Sequence, residues 1–128
     1  MPVLTADGEA LVLNAIIAYL DAEAITLYAN LTTDYPAKAV EGTPWTAPTE
    51  GERVEMGVEI DGDELHNTAV NFGLAGAAEV YVGIEVWDAA TTGKRHIYGP
   101  LTQELTVEEG QPIVLLAGSF KFSPDANA

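Results

Sequence analysis

This sequence predicts a mainly β fold, an antiparallel β-sandwich of the jelly-roll-like kind carrying one N-terminal α-helix, and three observations predict it. Apolar and polar side chains alternate through "AITLYANL", "VEMGVEI" and "EVYVGIEVW", the period of a strand that buries one face. Turn-forming groups at Asp61-Gly62, Asp88–Gly93 and Glu108–Gln111 divide the runs into short pieces, the spacing of sandwiches and barrels. Helical periodicity is confined to one segment near the N-terminus.

That segment is residues 5–22. Thr5 can cap it, and Asp7 and Glu9 suit the positive end of the helix dipole. Val12, Ile16 and Leu20 recur on one face, and Leu13 and Ile17 widen it. The opposite face, with Asn14 and Ala18, is only weakly polar, so the helix is expected to pack against a sheet or a neighbouring subunit. The β-sandwich spans residues 24–123. Its first strand turns Ile25, Leu27, Ala29 and Leu31 inward. Residues 32–52 hold Pro36, Pro44 and Pro48 and read as a long surface loop pinned by Tyr35 and Trp45. A loop of this length usually binds something or crosses between sheets.

Val54, Met56, Val58 and Ile60 then form one strand, Asp61-Gly62 its tight turn, and Leu65 to Phe72 the return. In the next strand Val80, Val82, Ile84 and Val86 are expected inward, with Glu79 and Glu85 on the wet face and Trp87 on the side away from the valines. Asp88–Gly93 makes a hairpin loop in which Gly93 can take left-handed geometry. Arg95–Tyr98, Leu105–Val107, Pro112–Ala117 and Phe120–Phe122 supply the remaining extended runs. The 128 residues are expected to form a single domain.

Charge narrows the function. Twenty acids against five bases give a formal net charge of −15, which repels phosphate backbones and argues against a nucleic-acid partner. Such acidity fits a protein kept soluble by self-repulsion or one adapted to concentrated salt. The longest apolar run, residues 10–20, is too short to cross a bilayer, which takes about 20 residues. It has no basic segment before it, so it reads as neither a membrane span nor a signal peptide. Synthesis in the cytoplasm and no membrane partner are expected.

Candidate chemistry is sparse. There is no cysteine, and the two serines, Ser119 and Ser123, lie outside any G-x-S-x-G elbow. His66 and His96 could meet across a sheet but more often decorate strands. The carboxylates of "DGDE" lack the spacing of a calcium loop, and "GLAGAA" lacks the dinucleotide fingerprint. Asn30-Leu31-Thr32 matches the glycosylation sequon with no export signal beside it. No catalytic, cofactor or metal residue is assigned, and the chain reads as not an enzyme. Aromatics and arginine anchor interfaces, so Trp45, Trp87, Lys94, Arg95 and Tyr98 are the expected contact residues, with Lys94-Arg95 facing an acidic neighbour.

The apolar N-terminal helix, "ITLYANL", "TAPTEGERVEMGVEI", the Asn-Thr-Ala-Val-x-Phe segment and the long run "VYVGIEVWDAATTGKRHIYGPLTQELTVEEGQPIVLLAGSFKF" together resemble a family of small structural proteins of tailed bacterial and archaeal viruses. Members carry a Gly-x-x-Asp-Ala-Ala-Thr-Gly-Gly-like hairpin, a GxLT strand, a Gly-Asp/Gln turn and a closing AGxLxF strand. These correspond to Gly83–Gly93, Gly99–Thr102, Gly110-Gln111 and Ala117–Phe122. Thr91-Thr92 and the basic Lys94-Arg95-His96 depart from that pattern and leave the hairpin tip unassigned. The resemblance implies a non-enzymatic virion part. The first expectation is a decoration or minor capsid protein on the outer capsid surface, with the major capsid protein and copies of itself, as trimers or other small oligomers, for partners. The alternative is a tail or fibre component that binds a host receptor or glycan, with Tyr28, Tyr35 and Trp45 stacking on sugar.

Overall fold

The structure is a computed structural model that describes residues 4–45, 53–62 and 64–122. Helix α1 spans Ala6–Ala22. The Thr5 hydroxyl accepts the Gly8 N–H at 3.1 Å, as the cap position predicts. The helix ends where Ala24 takes φ 53° and the Ile25 N–H returns to the Leu20 carbonyl at 2.9 Å. That is the usual left-handed exit from a helix, here without its usual glycine.

Nine strands follow among the described residues: β1 (Leu27–Thr32), β2 (Val54–Met56), β3 (Val58–Asp61), β4 (Glu64–Asn67), β5 (Val70–Leu74), β6 (Glu79–Trp87), β7 (Arg95–Val107), β8 (Pro112–Leu115) and β9 (Lys121–Phe122). They form sheets of order β2-β1-β6-β7, β3-β4-β9 and β5-β8, and every pairing is antiparallel. The arrangement is sandwich-like, with one helix beside it. A single apolar cluster joins Ala29 and Leu31 of β1, Val70 and Phe72 of β5, Ile84 and Val86 of β6, and Ile113 and Leu115 of β8. Trp45 is its wedge. Its ring meets Phe72 at 5.6 Å and Tyr81 at 6.4 Å, both edge-on, so it bridges the β5–β8 and β1–β6 layers.

Two expected long strands are each broken in two. The run from Val54 to Ile60 divides at Gly57, and its return from Leu65 to Phe72 divides at Thr68. The two breaks face each other. Thr68 N–H donates to the Gly57 carbonyl at 3.0 Å, and Gly57 N–H donates to the Thr68 hydroxyl at 3.2 Å. A side chain at position 57 would press its Cβ to 3.0 Å from that hydroxyl. Glycine therefore lets both chains change sheets at one corner, which an alternating pattern cannot announce. The turn between β3 and β4 is also shifted by one residue: Asp61 pairs with Glu64, and Gly62, at φ +65°, begins the connection.

The β6 phase differs as well. Register slips between Tyr81 and Gly83, where β7 runs from Leu105 to Pro100. Leu101–Glu104 bulge away, and Thr102 N–H bonds the Ser119 carbonyl at 2.9 Å instead. Tyr81, not Val80 or Val82, joins Ile84 and Val86 in the core, and Val80 is left 40% exposed. Near the same turn the fully buried Asn67 amide accepts the Phe120 N–H at 2.8 Å and donates to the Leu116 carbonyl at 3.0 Å. It fixes the segment that leads into β9.

Helix α1 lies beside this body, not inside it. One flank, with Val12, Ile16 and Tyr19, faces Ile97, Leu101 and Phe122 across a groove of about 1040 Å³. Among the described residues no helix is long and apolar enough to cross a membrane.

The wedge yields a test. Trp45→Ala is expected to destabilise the fold by about 3–5 kcal/mol, read as a lowered urea midpoint with an unchanged slope.

Candidate functional site

The outer face of the four-stranded sheet carries the densest polar network. Glu85 of β6 was expected in water, yet it is 1% exposed. The reason is a lid. Residues 33–45 fold back over β1 and β6, with Thr33 N–H on the Thr43 carbonyl and Trp45 N–H on the Leu31 carbonyl, each at 3.0 Å. A Cβ at Gly83 would come within 2.5 Å of the Thr32 hydroxyl and 2.7 Å of Pro36 Cδ, so glycine there is what allows the lid to close.

Arg95 and Glu85 meet beneath it. The Arg95 guanidinium donates to Glu85 Oε2 at 2.7 Å and to the carbonyls of Ala37 at 2.6 Å, Lys38 at 2.9 Å and Val40 at 3.3 Å. Glu85 Oε2 also accepts the Gly42 N–H at 2.9 Å. Asp34 completes the lid, accepting the Thr43 N–H at 2.6 Å and hydroxyl at 2.7 Å. Those two bonds hold the Asp34 carboxyl below its ordinary 3.8.

The β6–β7 hairpin is organised in the same manner. Asp88 accepts the Lys94 N–H at 2.8 Å, and its other oxygen lies 2.9 Å from His96 Nε2. The Lys94 N–H and then the His96 contact hold the Asp88 carboxyl below 3.8. Gly93 takes φ +73°, and a Cβ there would strike Asp88 Oδ1 at 2.5 Å. Thr92 adopts φ 55°, a left-handed conformation rare for a β-branched residue. Arg53 supports it: the guanidinium stacks 3.7 Å above the Trp87 ring and donates to the carbonyls of Ala89 at 3.0 Å and Thr92 at 2.5 Å. The strained tip is therefore held from below.

The five expected contact residues divide. Trp45 and Trp87 are 3% and 7% exposed, one in the core and one beneath Arg53. Arg95 spends its donors on Glu85 and the lid, and stacks 4.7 Å from the Tyr98 ring. Lys94 remains exposed at the hairpin tip, and Tyr98 is 39% exposed beside the α1 groove. The expected sugar-stacking set does not assemble either: Trp45 is interior, Tyr28 is half-buried, and Tyr35 is exposed. Trp45 pins the loop as expected, whereas Tyr35 reaches Glu104 only at 3.4 Å.

The histidines do not converge on a shared site. His66 lies 3.5 Å from Glu59 within the β3–β4 hairpin, and His96 sits against Asp88. Among the described residues no group of three or more His, Asp or Glu is placed to hold a metal. Burial pushes the Tyr81 phenol up to about 12, and its hydroxyl has no hydrogen-bond partner among the described residues. Arg53, Asp34 and Glu85 are the organising residues that sequence reasoning missed. The signal was scarcity: with only five Lys and Arg, two arginines flanked by apolar strands mark buried carboxylates or carbonyls.

Two measurements follow from this geometry. Arg95→Met strands the buried Glu85 carboxylate and removes the guanidinium's bonds to three lid carbonyls, so a loss of about 3–5 kcal/mol is expected in chemical denaturation. The pair Arg95→Met/Glu85→Leu should recover part of that loss. Asp34 and Asp88 titrate lower when folded than unfolded. Their stabilisation is thus present above the usual carboxylate range and disappears as pH falls through their folded values. Carboxyl titration by NMR should place both midpoints below 3.8.

Residues 6–123 match the family model described as podophage GP4 fiber I protein gp80. No curated protein matches the chain.

Proposed function

The chain belongs to this podophage fibre family, and from that premise we propose that it is a non-enzymatic structural protein of the virion, a fibre component whose β6–β7 hairpin tip contacts the host surface. The family match over nearly the whole chain is the observation that carries the fibre assignment. It favours the fibre over decoration of the outer capsid, the first expectation from the sequence, because nothing in the match refers to the shell.

The hairpin supports the rest. A receptor loop gains affinity when its bound shape exists beforehand, and residues 88–94 are held by Arg53, Asp88 and Gly93 before any ligand arrives. Residues 90–94 are exposed. Lys94 there is a local cation on a surface of net charge −15, so an anionic glycan or other acidic group of the cell envelope is the class of receptor it suits. Tight association at a small tip needs repetition, which a fibre built of several copies supplies.

Gold-labelled antibody against the chain should decorate fibres of intact particles, and labelling spread over the capsid would remove the fibre assignment. Particles carrying Lys94→Glu should adsorb to host cells at least tenfold more slowly, with unchanged particle yield. Adsorption at the wild-type rate would free the hairpin tip from a receptor role.

A further inference from the structure

The groove beside α1 is lined unlike the rest of this surface. Val12, Ile16 and Tyr19 face Ile97, Leu101 and Phe122 across it. In a chain with 20 acids, no Asp or Glu is among the described residues that line it, whose charged or titratable basic groups are His96 and Lys121. At about 1040 Å³ it has room for roughly 35 waters at their liquid volume. Hydrocarbon walls give such waters few partners, so an apolar body is the better occupant.

The chain carries a body of that kind. The outer side of α1 presents Gly8, Leu11, Ala18 and Ala22, with Leu4 just ahead of the cap, an apolar seam of the kind by which a helix packs on a partner. Leu11 is 72% exposed on it. Its last turn has no basic residue, and Asp21 and Glu23 sit there in the open, adding charge to the negative end of the dipole. A helix of 17 residues is about 25 Å long and about 10 Å across. Two such helices, each docked against the other copy, cover on the order of 1000 Å², where specific contacts begin.

We infer that the groove of one copy receives the outer seam of α1 from a second copy, with Asp21 and Glu23 of the incoming helix against His96 and Lys121. Apolar area supplies the attraction. The lack of carboxylates among the described wall residues supplies the selectivity, since two copies of net charge −15 repel wherever carboxylates meet. Tyr98, at the rim, is buried by this contact. The inference is independent of the fibre assignment, because it concerns how copies meet and not where in the virion they stand.

Sedimentation and light scattering in about 0.15 M salt, where the Debye length is about 8 Å, provide the test. The wild-type chain should run at a multiple of 13.5 kDa. Leu11→Glu should weaken association by about a hundredfold or more while leaving the β circular dichroism signal intact, since Leu11 does not line its own groove. Lys121→Glu and Asp21→Lys should each weaken association, and the two together should restore it. A wild-type chain that stays monomeric up to millimolar concentration would overturn the inference. So would an assembly indifferent to these changes, a charge swap that fails to restore it, or a monomer whose groove yields a small lipid by mass spectrometry.

Discussion

A carboxylate buried under a loop governs the polar half of this molecule. Glu85 is 1% exposed, and Arg95 supplies the opposite charge at 2.7 Å. A buried pair of this kind is not in itself a strong source of stability, because removing both ions from water costs several kcal/mol each. Its value lies in the remaining donors. Residues 43–45 bridge the end of β1, while Ala37 and Val40 close a tight turn by exchanging backbone hydrogen bonds at 2.9 and 3.2 Å, and that turn has to be fastened to the sheet beneath it. The guanidinium fastens it through the carbonyls of Ala37, Lys38 and Val40. An apolar replacement of similar volume would fill the space under the lid without tying the turn down.

The lid in turn decides what the core can be. Because it covers the outer face of β1 and β6, both strands are buried on two sides, and Asn30, Thr32 and Glu85 are as enclosed as Leu31 and Ile84. The segment then delivers Trp45 between Phe72 and Tyr81. One stretch that reads as connecting loop thus closes the polar face and wedges the apolar one. The Glu85–Arg95 pair and the Trp45 wedge are two ends of the same constraint.

The sequence was legible where one rule acted alone. Leu27, Ala29 and Leu31, and likewise Ile113 and Leu115, face inward as alternation demands, and Thr5 caps α1. It was illegible where a tertiary partner overrode the local rule. Val80 and Val82 lost their inward phase to a bulge created by Leu101–Glu104 leaving to meet Ser119. Glu85 reads as the wet side of a strand until the lid is known. Arg95 reads as a surface contact until its acceptors, 10 and 55 to 58 residues away, are in place. The hairpin tip was found by its turn residues, but Arg53, which holds it up, lies 36 residues from the carbonyl of Ala89. Long-range charge pairing leaves no periodic trace.

Scarcity of cations ties these threads to assembly. Two of the five bases, Arg53 and Arg95, are committed internally to the hairpin and the lid. Lys38, Lys94 and Lys121 remain to face a surroundings dominated by carboxylates. On a surface so acidic, a lone lysine changes the local sign of the potential, whereas on a neutral protein it would be one charge among many. Under the proposals made above, contact is directed to few places: the hairpin tip beside Lys94 and the groove beside Lys121. The same acidity makes every other approach between copies unfavourable. A protein of this composition gains binding specificity from where it lacks negative charge, and with the two arginines turned inward, Lys94 and Lys121 are left to mark those places.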